Sequence, residues 1–402
     1  MERVQHINPE NGCIGCTACY TECPKDAITM VANKEGFYNP HVDESLCIAC
    51  KKCLTICPLL NSKAAERKVE PACSYAYSKN LQERMHSCSG GVFYELAKKV
   101  LSNNGIVCGC IWNDNFIARH ICTDDLSEVK KMRGSKYVQS DLGDCFKEIK
   151  GYLKEGRFVL FSGTGCQTTA LKRCVGQKHA ENLLTCAVIC GGVPSPKVWE
   201  YYKSKVEEDM GAPFSELDLR NKKRGWLMPE LYAEFQNGKS VREVLLQENL
   251  YGTNFGSGLI INKECLNCQF KFNQVETDLL ISDDWGIDKK RLKESKNKGS
   301  SAVIALTSTG KKALDAINSE MVTEEGNLQH IIDSHLVLTK NHPPNQYRDC
   351  FFESFNEDNI LDKLDQYFKM WQDQVHMSTM AKVLYRLKIY TPIYNFYWKL
   401  RH

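Results

Sequence analysis

The stretch Cys13-Ile14-Gly15-Cys16-Thr17-Ala18-Cys19-Tyr20-Thr21-Glu22-Cys23-Pro24 sets four cysteines in the order C-x2-C-x2-C-x3-C and closes on proline. A second stretch, Cys47-Ile48-Ala49-Cys50-Lys51-Lys52-Cys53-Leu54-Thr55-Ile56-Cys57-Pro58, repeats that order and that proline. Three thiols two residues apart can wrap a loop around one face of a compact metal group, while the proline turn sends the fourth elsewhere. Zinc normally takes its ligands as two separated pairs, so two tight four-cysteine strings argue against it.

The spacing matches the bacterial ferredoxin pattern, in which each fourth cysteine ligates the other 4Fe-4S cluster. Cys13, Cys16, Cys19 and Cys57 are therefore the expected ligands of one cluster, and Cys47, Cys50, Cys53 and Cys23 of the second. Residues 1–62 read as a two-cluster ferredoxin domain. Such a module moves single electrons and has no substrate chemistry of its own, so the rest of the chain must supply any.

The chain has 402 residues, 21 of them cysteine, and a net charge of +3. That length suggests two or three domains. The small charge gives no reason to expect a nucleic-acid partner. Met1-Glu2-Arg3-Val4-Gln5-His6 opens without an apolar leader, and no apolar run reaches the length of a membrane span. The expectation is a cytoplasmic protein whose reduced thiols bind metal.

Beyond a polar linker at 61–68, Cys73 to Tyr77 alternates like a strand, and Ser89-Gly90-Gly91 is a turn before an amphipathic helix. That turn is either a plain helix entry or a phosphate cradle. Gly105 to Trp112 and Phe116 to Cys122 suggest a hairpin. Arg157 to Phe161 and Leu183 to Ile189 read as buried strands joined by one helix, hence parallel. Cys166 and Cys190 follow the carboxyl ends of those strands and should share a crevice. Cys265-Leu266-Asn267-Cys268 adds a close pair. Four such thiols suit a third 4Fe-4S cluster, a zinc site, or plain packing as small hydrophobes. Cysteines 73, 88, 108, 110, 122, 145, 174, 186 and 350 show no ligand spacing and read mostly as core residues. Arg220 to Arg224 and Lys289 to Lys298 are basic runs, read as solvated loops or as anion sites, the first more readily than the second. From Lys382 onward, basic and aromatic residues alternate without an acid. This pattern suits a foot on the membrane surface, a partner-docking helix, or a terminal helix packed on the body.

In order along the chain, these segments resemble the coenzyme F-420 hydrogenase/dehydrogenase beta-subunit family. The residues that carry the resemblance are Ser89-Gly90-Gly91, Arg133 to Ser140, Gly163-Thr164-Gly165-Cys166-Gln167, Cys190 to Pro196, Leu219 to Trp226, Cys265 to Cys268 and Asp283 to Ile287. The resemblance implies an α+β / α/β protein: the ferredoxin-like module, then an α/β flavin-binding body with a partly parallel sheet, then a helical tail. The body divides at 70–155 and 156–342, and the tail is 343–402. It implies FAD beside a third 4Fe-4S cluster on Cys166, Cys190, Cys265 and Cys268. Expected flavin contacts are Ser89, Gly90, Gly91, Arg133, Gly134, Ser135, Lys136, Tyr137, Gln139, Gly163, Thr164 and Gln167. Gly165 and Gly191 depart from the family, where Pro and His are usual, and this weakens any transfer of substrate chemistry. The implied activity is oxidoreduction between the clusters and FAD, with hydride transfer to or from an organic small molecule. Bacterial members with this N-terminal fusion are often found near surface-polysaccharide genes. Expected partners are an electron donor or acceptor protein such as ferredoxin, or a partner enzyme that the chain serves purely as a relay.

Overall fold

A computed structural model describes residues 6–374. Its N-terminal module carries one hairpin, β1 (Ile28–Ala32) and β2 (Tyr38–Val42), paired antiparallel. The body follows with β3 (Ala72–Ser78), β4 (Ile106–Trp112), β5 (Ala118–Thr123), β6 (Val159–Thr164) and β7 (Leu183–Val188). Then come β8 (Phe214–Asn221), β9 (Glu230–Phe235), β10 (Ser240–Val244), β11 (Leu279–Asp283), β12 (Ser301–Ala305) and β13 (Met321–Glu325).

Eight of these form one sheet in the order β13-β3-β12-β11-β7-β6-β4-β5. Its centre, β11-β7-β6-β4, is parallel, and both flanks are antiparallel. The central strands are apolar on both faces, as helices on both sides require. Val107, Leu160, Leu184 and Val303 meet the helix Val92–Ser102 on one face. Ile106, Val159, Phe161 and Leu183 meet the helices Cys145–Lys154 and Gly165–Val175 on the other. The expected hairpin, the parallel pair and the connecting helix are all present. The pattern is mixed α/β with a partly parallel sheet.

Three elements differ from the sequence reading. The basic run at Arg220 begins inside β8, in an antiparallel β8-β9-β10 sheet rather than a solvated loop. Arg220 and Lys222 are buried there, because each finds polar partners inside the fold. Cys108 and Cys122 are joined as a disulfide, which corrects their reading as single reduced core thiols. The hairpin register is the cause: it sets them directly opposite each other across β4 and β5. Cys145 Sγ lies 3.6 Å from Cys122 Sγ. Finally, the start of the expected tail packs into the body: Phe351, Ile360 and Leu364 join Trp199 and Tyr251 in one core. The basic and aromatic run from Lys382, with its suggested membrane contact, lies outside the described residues. No helix among the described residues is long and apolar enough to cross a membrane.

The N-terminal module is pinned to the body. Arg348, 2% exposed, grips the Glu35 carboxylate with both terminal nitrogens, and its Nε donates to the Ile261 carbonyl. Ser195 caps the helix Pro196–Met210 by accepting from the Val198 N–H, and its hydroxyl donates to the Glu35 carbonyl. Gly36, at φ +90°, lies so close that a Cβ would strike the Lys197 backbone.

Candidate functional site

The two N-terminal cysteine loops are built alike. Gly15 and Ala49, each just before the second cysteine of its string, are left-handed, at φ 67° and 57°. Thr17 and Lys51, each just after it, are left-handed too, at φ 59° and 60°. A non-glycine residue there costs about 1–2 kcal/mol. The repeated cost turns successive thiols toward one centre.

Each string's fourth cysteine joins the other string's three. Cys13, Cys16, Cys19 and Cys57 line one cavity, here termed cage I. Cys23, Cys47, Cys50 and Cys53 line a second, cage II. Cage I is enclosed, with Cys16 and Cys19 buried, whereas Cys50 of cage II is exposed.

The body brings together the four thiols expected from sequence. Cys166 lies at the start of the helix after β6, Cys190 follows β7, Cys265 sits within the 3-10 turn Lys263–Asn267, and Cys268 caps its end. All four line one cavity, cage III. Among the described residues, only the sulfurs of Cys108, Cys122 and Cys145, two of them joined as the disulfide, form a set of three candidate donor atoms all within 4.8 Å of one another. The three cages are wider than that. A tetrahedral zinc with Zn–S near 2.3 Å would draw its thiolates closer, so the donor sets fit a larger soft inorganic group.

Backbone N–H groups already point at the sulfurs. Gly15 donates to Cys13 Sγ at 3.3 Å, Gly192 to Cys190 Sγ at 3.3 Å and Phe270 to Cys268 Sγ at 3.4 Å, each two residues on. Such bonds stabilise thiolates and tune iron–sulfur potentials. Burial acts the other way, raising Cys13 and Cys190 to about 11 and Cys166 to about 12. Loading metal therefore expels protons from these thiols.

A larger cavity of about 270 Å³ adjoins cage III. Thr164 and residues 188–193 line both, so Cys190 faces the cage and the cavity. Of the expected flavin contacts, Ser89, Gly91, Arg133, Gly134, Ser135, Lys136, Tyr137, Gly163, Thr164 and Gln167 line it. Gly90 and Gln139 do not. The Gly90 N–H donates to Ser301 Oγ, and a Cβ there would meet the Ala76 carbonyl, so this glycine serves strand packing. Gln139 ties the module to the body by accepting from the Tyr38 N–H at 2.9 Å.

The basic contacts are also engaged. Lys136 Nζ donates to the carbonyls of Lys131, Arg133 and Gly134, capping the helix Leu126–Met132. Arg133 pairs with Glu83 and lies over the Tyr94 ring. Gln167 accepts from the Thr164 N–H and donates to Ser140 Oγ, which fixes the turn carrying Cys166.

Sequence reasoning missed His120, Cys88, Cys110 and Asp283, which also line this cavity. His120 is 4% exposed; Nε2–H donates to the Ser162 carbonyl at 3.2 Å, leaving Nδ1 without a partner. Burial holds its pKa down at about 4, so the ring is a neutral acceptor at the wall. The available signal was alternation, since β5 buries Ala118 and His120 and exposes Arg119 between them. Cys88 Sγ accepts from the Ser135 N–H at 2.9 Å. Asp283 is held by both Nη2 bonds of Arg220 and by the Trp226 indole.

The groups form a series. Ile14, from the first cysteine string, lines cage III, and Asn262 Nδ2 donates to the Cys13 carbonyl at 3.2 Å. Cage II neighbours cage I through the exchanged fourth cysteines, cage I neighbours cage III through Ile14, and cage III opens on the large cavity through Cys190.

Comparison with known proteins bears on two segments. Residues 156–330 match the family that describes the C terminus of the coenzyme F420 hydrogenase/dehydrogenase beta subunit. Residues 12–60 match the 4Fe-4S dicluster domain. No curated protein matches the chain. A solved chain of the F420-reducing NiFe hydrogenase complex from Methanosarcina barkeri is similar at 15% identity and a TM-score of 0.45. That similarity covers 75% of this chain and 91% of the other. The two family matches make this an iron–sulfur protein of electron transport, of the oxidoreductase class.

Proposed function

We propose that this chain is an iron–sulfur flavoprotein oxidoreductase that exchanges single electrons at its N-terminal end and reducing equivalents with an organic small molecule in the body cavity. Cys13, Cys16, Cys19 and Cys57 would hold one 4Fe-4S cluster, and Cys23, Cys47, Cys50 and Cys53 a second. Cys166, Cys190, Cys265 and Cys268 would hold a third. FAD would occupy the cavity walled by Ser89, Gly91 and Arg133 to Tyr137. When bound, a flavin supplies the conversion between one-electron and two-electron steps.

One observation carries this reading: three four-cysteine cages and the large cavity adjoin in sequence, sharing Ile14 and then Cys190 at their boundaries. A protein using its cysteines only for packing has no need of that order. The fit to a planar heteroaromatic rests on the orphan His120 Nδ1, a neutral acceptor that a ring N–H would satisfy. Gly91, at φ 92°, opens the helix Val92–Ser102 at the wall and leaves room for close approach. Arg133, paired with Glu83, and Lys136, held by three carbonyls, shape the cavity through their own bonds.

Anaerobic purification with iron, sulfide and flavin counted per chain tests the reading. About twelve irons and one FAD are expected. Eight irons and no flavin would overturn the enzymatic half. The competing role, a relay without its own substrate, predicts that dithionite-reduced protein reduces artificial dyes but no organic acceptor until a partner enzyme is added.

A further inference from the structure

The cage II loop is largely exposed. Leu46 and Ile48 are 51% and 57% exposed on either side of Cys47, and Cys50 is exposed between them and the following lysines. Lys25, Lys51 and Lys52 line the same cavity as the four cysteines, with no acid among the lining residues. All three lysines are exposed, and none makes an ion pair among the described residues. The acids of the loop, Asp43 and Glu44, do not line that cavity: Asp43 accepts from Ser45, and Glu44 lies 3.5 Å from His6. The mouth of cage II thus carries the apolar Ile48 and three free ammonium groups over the four thiols, with Leu46 exposed beside it. Cage I, by contrast, is covered by the body.

We infer that this face, with Ile48, Lys25, Lys51 and Lys52 at the mouth of cage II and Leu46 beside it, is the docking site of an acidic protein that carries one electron at a time. The inference rests on the reading that cage II holds a cluster, and it deepens that reading by naming the partner's charge. Apolar contact over the loop brings the partner's redox centre close, and opposite charge steers and orients the encounter. The two apolar side chains limit contact to a small, short-lived interface, as rapid turnover of a carrier requires.

The test uses the full chain with its clusters loaded, reduced by a small acidic ferredoxin in one arm and by dithionite in the other. Rates are normalised to cluster content from iron analysis and low-temperature EPR. With the acidic carrier, the second-order rate should fall about tenfold or more as salt rises through the range where the Debye length shrinks from about 30 Å to 8 Å. Lys25→Glu/Lys52→Glu should lower it about tenfold at low salt and flatten the salt dependence. A basic carrier should be slow with the native protein and faster with the charge-reversed one. Rates with the acidic carrier that ignore both salt and charge reversal, while EPR shows two N-terminal clusters, would overturn this inference alone. A native protein with no second cluster signal would overturn the functional reading and this inference with it. The salt series on the native chain decides the matter even if the variant does not fold.

Discussion

The N-terminal cages and the body cage solve the same problem by opposite means. In the first region all eight thiols lie between Cys13 and Cys57, and short left-handed loops aim them. In the second, the four thiols run from Cys166 to Cys268 and are aimed by the carboxyl ends of β6 and β7 and a 3-10 turn. A local site is stamped into chain spacing and carries backbone strain. A site built from a sheet exists only once strand order has been set, and it needs little strain. The first is set by local spacing even though its cage I loop shares a core with the body, while the second cannot be separated from its fold.

The most severe way to break the comparison is to remove one site and watch the other. Cys190→Ser should lower iron from about twelve to about eight per chain, abolish reduction of the organic acceptor, and leave the N-terminal EPR signals intact. If iron falls to near zero instead, the regions are not independent. Next comes the join between them. Arg348→Ala removes a buried guanidinium from Glu35 and from the Ile261 carbonyl and should destabilise the folded protein by about 3 kcal/mol in denaturant unfolding, with an early transition for the N-terminal module.

A third test touches the body alone. His120 is neutral in the fold, with a pKa of about 4 against an ordinary 6.5. A base whose folded pKa is depressed contributes stability above its unfolded pKa, and that stability is lost as pH falls through the folded value. Unfolding free energy should therefore drop by on the order of 3 kcal/mol between about pH 6.5 and 4 on account of this group. His120→Gln should remove that part of the pH dependence, read from midpoints at several pH values. The smallest effects sharpen the contrast between cages I and II. A Cβ at Gly15 would strike Gln139 Nε2, so Gly15→Ala should cost about 1–3 kcal/mol. Ala49→Gly, at the matching position of the open loop, should change stability by less than about 1 kcal/mol.

What was legible in the sequence follows the same division. The eight N-terminal cysteines could be assigned to cages from spacing because their geometry is local. Cys166 and Cys190 could be placed in one crevice because parallel strands with a helical crossover leave little freedom. The cavity wall was less readable, because a glycine-rich or basic motif does not reveal what its groups bind. Gly90 and Gln139 are spent on packing and on the module joint, and Lys136 on three carbonyls. Arg348 and Glu35, more than three hundred residues apart, left no local signal at all. The Cys108–Cys122 pair was recoverable in principle, since the hairpin register sets those two residues opposite each other.

The exchange of Cys23 and Cys57 between the two N-terminal cages bears on how the protein is made. Each cage lacks a wall until the other loop has folded, so neither is a separate unit for assembly. Filling should be cooperative: a chain that has captured one cluster already presents most of the second site in order. Iron titration into the N-terminal module should therefore populate empty and doubly filled chains, with few in between. Cage III shares no ligand with the others and should fill on its own schedule.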